Sequence, residues 1–129
     1  MKTIRGQDIH GSGAWQASRG SRKHNGVDVV CSIFESICSD VDGKVTKVGY
    51  PYNPHDDKKG HFRYVEVTDS KKARVRYFYI SPTVKKGDLI EKGDQLGTSQ
   101  SLCGVYPKIT QHYHLEVIAY IEPLEYIGE

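Results

Sequence analysis

The run Val84-Lys-Lys-Gly-Asp88-Leu-Ile-Glu-Lys-Gly-Asp94-Gln-Leu-Gly97 constrains the fold more than any other part of the chain, because it places two Gly-Asp turns six residues apart. Short strands at that spacing fold back as tight hairpins, the units of small barrels and sandwiches. The remaining pattern agrees. Val41–Tyr50 alternates in polarity, and Phe62–Thr68 and Arg74–Ile80 are rich in aromatic and β-branched residues, with Asp69-Ser-Lys-Lys72 as the turn between them. His112–Ile121 is the last clear strand, and Ser32–Cys38 is left open between a short helix and extended chain. Pro51–Gly60 reads as a polar loop, and residues 1–20, with Gly6, Gly11, Gly13 and Gly20, as an N-terminal arm. The expectation is an all-β protein, a small, mostly antiparallel β sandwich or barrel carrying that arm.

Length and charge limit what such a fold is for. The 129 residues predict a single domain over 1–129, and 37% hydrophobic with 26% charged residues is the balance of a soluble globule rather than a disordered chain. The longest apolar run, Val117–Ile121, is five residues, too short for a membrane span. The first residues, Met-Lys-Thr-Ile-Arg-Gly-Gln-Asp, lack the apolar segment of a secretory signal. Net charge is +2, and the basic clusters Arg22-Lys23 and Lys85-Lys86 are pairs rather than a stripe, which argues against a nucleic-acid partner. Cys31 and Cys38 are too far apart for a zinc knuckle; with Cys103 they read as buried or paired structural cysteines.

The chemistry gathers in the histidines. Two residues apart along a strand means one face. Tyr113, Leu115, Val117, Ala119 and Ile121 form an apolar set that must face the core, so His112, His114 and Glu116 project from the other side. A second pair, His24-Asn-Gly-Val-Asp28, joins an imidazole to a carboxylate, and Gly26 with Val27, Val29 and Val30 marks a loop entering a strand. Both groups suit a borderline cation such as zinc. Three ligands drawn from His24, Asp28 and one member of His112/His114 leave a fourth position open, the arrangement of a catalytic metal. The remaining histidine is suited to proton transfer on a bound water, so the pattern reads as a site for hydrolysing an amide. Glu116 is read as a partner that orients one of the imidazoles. His10, His55 and His61 read as surface residues, and Trp15 as an anchor for the arm.

These motifs together resemble the lysostaphin/LytM-type zinc endopeptidases, which cleave peptide bonds of bacterial peptidoglycan. The resemblance rests on Arg22-Lys-His-Asn-Gly-Val-Asp28, Asp42-Gly-Lys-Val45, the two Gly-Asp turns up to Gly97, and Gln111-His-Tyr-His114. The run Gly11–His24 looks like phage and prophage members. It implies a lysostaphin-type fold, His24, Asp28 and His114 as zinc ligands, and His112 as the catalytic histidine. It also implies peptidoglycan peptides as substrate and action at the cell wall, with delivery by a phage particle, lysis or a secretion route.

One position departs from that family. Its active members usually carry a histidine in a Tyr-x-His-Leu context where this chain reads Tyr77-Phe-Tyr79-Ile80. The same tyrosine occurs in the animal chemotaxins of leukocyte origin, binding proteins of this fold, which Gly26–Cys31 and Phe78–Pro82 also resemble. Two readings follow. In one, Tyr79 donates a hydrogen bond to the oxyanion of a peptidase; in the other, the chain is a zinc-holding binding module with a protein or glycan partner. A two-His-one-carboxylate iron oxygenase fits poorly, since its ligand pair is usually His-x-Asp. A lipoyl or biotinyl carrier has the hairpins but no use for four metal-type residues.

Overall fold

The computed structural model describes residues 18–19, 22–23 and 26–118. Most of the expected arm, His10 and Trp15 lie outside them, as do His24, Ala119 and Ile121. The described strands are β1 (Ser18–Arg19), β2 (Arg22–Lys23), β3 (Gly26–Val30), β4 (Ser36–Cys38), β5 (Gly43–Gly49), β6 (Tyr64–Asp69), β7 (Arg74–Phe78), β8 (Ile80–Pro82), β9 (Leu89–Ile90), β10 (Gln95–Ser99) and β11 (His112–Ile118). No helix occurs among the described residues, so the open stretch Ser32–Cys38 resolves into a turn followed by β4.

Six strands form one sheet in the order β3-β11-β7-β6-β5-β9, three form a second in the order β4-β10-β8, and β1 pairs with β2. Every pairing is antiparallel. The core lies between the two larger sheets. Val29, Val45, Val65, Val67, Val75, Tyr77 and Tyr113 come from the six-stranded sheet and meet Ile37, Ile80 and Leu96 from the three-stranded one. Each such apolar side chain contributes roughly 1.5–3 kcal/mol when fully buried. Register carries this face across the sheet: Val29 is opposite Tyr113, and Leu115, Tyr77, Val65 and Val48 continue the next row.

Both Gly-Asp turns form as their chemistry dictates. Gly87 and Gly93 sit at φ 100° and 96°, a conformation glycine takes without penalty. Asp88 and Asp94 each return a side-chain oxygen to the backbone N–H three residues earlier, at 3.0 and 2.8 Å. The strands between them do not pair as successive hairpins, however. β9 joins the edge of the six-stranded sheet against β5, whereas β10 crosses to the other sheet between β4 and β8. Sequence spacing fixes a turn but not the partner of a two-residue strand.

Three further expectations are corrected. Val117 was expected in the core and is 45% exposed. The β3 ladder ends at Gly26 opposite Glu116, so no β3 residue flanks Val117. Cys103 is exposed and Cys38 half-buried, and all three cysteines are free, so only Cys31 fits the buried structural reading. The stretch Arg74–Ile80 is two strands rather than one, broken at Tyr79.

Candidate metal and catalytic centre

The face of the six-stranded sheet turned away from the core carries the site. On β3 and β11, Asp28 stands directly opposite His114. Asp28 Oδ1 lies 2.7 Å from His114 Nδ1, and Asp28 Oδ2 lies 3.5 Å from His112 Nε2. The carboxylate is almost fully buried at 2% exposure, and His112 is close behind at 3%. A charge taken that far from water persists only with partners that compensate it. Two imidazoles converge on it.

The two histidines are held differently. His112 Nδ1 is 2.7 Å from the Thr110 carbonyl oxygen. A carbonyl only accepts, so Nδ1 carries the proton and Nε2 is the nitrogen turned toward Asp28. His114 has a carboxylate at each ring nitrogen, Asp28 at Nδ1 and Glu116 Oε1 at 3.1 Å from Nε2. Burial works against its charged form, but the hydrogen bonds and charges of Asp28 and Glu116 outweigh it and lift the imidazole above its usual value. Phe78, on the neighbouring strand, meets the His114 ring edge-on at 5.4 Å between centroids.

Tyr79 reaches this centre through a break in its strand. Along β7, side chains alternate, so Tyr77 faces the core and Phe78 the site. Tyr79 then adopts φ 69°, and the backbone N–H groups of Tyr79 and Ile80 both donate to the Arg63 carbonyl. A bulky residue in this left-handed region costs roughly 1–3 kcal/mol. The kink keeps Ile80 fully buried in the core. It sets Tyr79 beside His112, with ring centroids 6.0 Å apart at 85°. Burial, then the neighbouring Tyr52, raise the Tyr79 phenol far above its usual value. It therefore remains a neutral hydrogen-bond donor and is unsuited to act as a base.

A buried carboxylate and an imidazole nitrogen in contact match the donors that zinc takes. Among the described residues, no group of three His, Cys, Asp or Glu side chains is arranged to hold a metal. Asp28 and His114 are two of the three expected ligands, and the third, His24, lies outside the described residues.

Of the other sequence-based expectations, Glu116 does contact an imidazole, and His55 and His61 are exposed. Pro51–Gly60 is an irregular segment as expected, and it delivers Tyr52 to Tyr79, hydroxyl to hydroxyl at 2.9 Å. Tyr52 and Phe78 were missed by sequence reasoning. The alternation of β7 pointed to Phe78; nothing in a polar loop pointed to Tyr52. A cavity of about 540 Å³ opens beside the same loop, lined in part by Tyr50, His61, Arg63 and Gln100, and none of the expected site residues lines it.

A model of Peptidase family M23 matches residues 22–125, most of the chain. The chain belongs to peptidase family M23. It is also 35% identical over 124 residues to leukocyte cell-derived chemotaxin-2 of Bos taurus, across 96% of this chain and 79% of that protein. Among solved structures it matches lysostaphin from Staphylococcus simulans with a TM-score of 0.65 at 19% identity, over 94% of this chain and 44% of that one. It matches a zinc containing peptidase from Vibrio cholerae with a TM-score of 0.57 at 26% identity, over 76% of this chain and 28% of that one. The chain thus spans less than half the length of these two solved proteins. The lysostaphin-type β fold expected from the sequence is the fold observed, and both expected resemblances, to M23 peptidases and to the chemotaxin, are found.

Proposed function

We propose that this M23 chain is a zinc-dependent endopeptidase that hydrolyses peptide bonds of peptidoglycan cross-links and acts at the bacterial cell wall. His24, Asp28 and His114 are the residues that would hold zinc. Bound there, zinc supplies an acidified water and a polarised carbonyl. The observation that carries the reading is the contrast between the two imidazoles. His114 is drawn onto the buried Asp28 carboxylate, whereas His112, pinned through Nδ1 to the Thr110 carbonyl, turns Nε2 toward the same centre. His112 Nε2 takes the proton of the attacking water and returns it to the leaving amine. Tyr79 donates to the oxygen of the scissile carbonyl as charge develops on it, and a single donor in that role is worth about 2.7–4 kcal/mol elsewhere. Glu116 holds the His114 ring in place.

The second reading is a zinc-holding binding module of the chemotaxin type. Tyr79 in place of the usual histidine and the identity to the chemotaxin favour it. Mass spectrometry of material released from purified peptidoglycan by the zinc-loaded protein separates the two. Peptide fragments support the peptidase and name the bond cut. No release from sacculi of several cross-link chemistries supports the binding module.

A further inference from the structure

The Tyr79 hydroxyl has one proton, and its contact with Tyr52 decides where that proton goes. If Tyr79 donates to Tyr52, it presents only lone pairs to the site and repels an oxyanion. If Tyr52 donates, the Tyr79 proton is left for the reacting oxygen. The surroundings break this symmetry. Tyr52 and Tyr79 both pack on the fully buried Phe62 ring, at 6.2 and 5.0 Å between centroids. On the Tyr52 side, the Lys59 ammonium lies 5.1 Å from the Tyr52 ring centroid and 5.3 Å from that of Tyr106. On the other side, Tyr79 abuts His112, which faces the Asp28 carboxylate.

A cation beside one phenol makes its hydroxyl the better donor. Burial raises both phenols first, their mutual contact then lowers Tyr52 and raises Tyr79, and the neighbouring Tyr106 raises both. The smaller charge effects come last, Lys59 lowering Tyr52 and Asp28 raising Tyr79. The loop holds Lys59 in place. Asp56 Oδ1 accepts from the backbone N–H groups of Lys58 and Lys59 at 2.9 and 2.8 Å, and a Cβ at Gly60 would meet the Asp56 and Pro54 carbonyls at 2.5 Å.

We propose that Tyr52, biased by Lys59, is a positioning residue that donates its hydroxyl proton to Tyr79 and so leaves Tyr79 free to donate to the reacting carbonyl oxygen. This rests on the peptidase reading above. The test labels tyrosine Cζ with carbon-13 in the full chain and follows the Tyr79 resonance, which separates an accepting from a donating phenol, with and without zinc. Tyr52→Phe is expected to displace that resonance, Lys59→Met to move it toward the donating position, and Lys59→Arg to leave it in place. In turnover, Tyr52→Phe is expected to lower kcat about five- to tenfold with KM unchanged, the effect of one lost hydrogen bond. A Tyr79 resonance unmoved by Lys59→Met overturns the proposal, as does a loss in Tyr52→Phe that falls on KM alone. The resonance is read without substrate, so a wild-type chain that cleaves nothing removes the peptidase reading while the direction of the hydrogen bond is still decided.

Discussion

Two rows of side chains cross the outer face of the six-stranded sheet, and they handle buried charge in opposite ways. In one, Glu116, Arg76, Glu66 and Lys47 occupy successive paired positions. Arg76 Nε holds Glu66 Oε2 at 2.8 Å, and Thr46 donates to Glu66 Oε1 at 2.7 Å. In the other row Asp28 faces His114, then Phe78 and Tyr64, with His112 two residues along β11. A guanidinium cannot lose its proton, so the Arg76–Glu66 pair of the first row is locked and contributes stability alone. An imidazole can give its proton up, and the Asp28–His114 contact is therefore one that a metal ion can enter by replacing that proton. Glu116 belongs to both rows, since it also reaches His114.

Removing a proposed ligand from the exchangeable row breaks the comparison most severely. His114→Ala is expected to abolish stoichiometric zinc binding, read by metal analysis of the purified chain. Full occupancy in that variant places the third ligand elsewhere. Glu116→Gln is expected to weaken zinc affinity by about 10–100-fold, the usual cost of losing the partner that orients a ligating histidine. An unchanged affinity in a competition titration confines Glu116 to the locked row.

Arg76→Met tests the locked row by itself. It is expected to cost about 1.5–3 kcal/mol in denaturant unfolding, with zinc affinity unchanged. Burial pushes the Glu66 carboxyl up, but the hydrogen bonds from Arg76 and Thr46 more than offset this and hold it below its usual range. Its contribution is thus fully present above the unfolded carboxylate value near pH 4.3 and is lost as pH falls through the lower folded value. The stability gap between wild type and Arg76→Met should therefore be constant near neutrality and close in acid. A gap that persists unchanged in acid assigns the loss to packing of the arginine stem.

How much of this was legible in the sequence follows from how local each determinant is. Glycines at 87 and 93, each followed by an aspartate that caps its own turn, carry their conformation within four residues, and both turns form. Period two along His112–Ile118 placed His112, His114 and Glu116 opposite Tyr113, and that alternation needs no knowledge of the partner strands. The pairing of β9 with β5 depends on contacts with chain more than forty residues away, and a two-residue strand carries no register signal. The break at Tyr79 was invisible for another reason: tyrosine disfavours positive φ, so the conformation is imposed by the Arg63 carbonyl and the buried Ile80. With it went Tyr52, whose role exists only because the kink brings Tyr79 out of its strand.

The central claim is that the two imidazoles divide the work, His114 holding the metal and His112 moving the proton. Zinc content and peptidoglycan fragment release, measured on one preparation of His112→Ala, test it most directly. The account expects one zinc per chain, as in wild type, with release reduced by roughly 10²–10⁴-fold. Wild-type release from that variant, or loss of its zinc, contradicts the division.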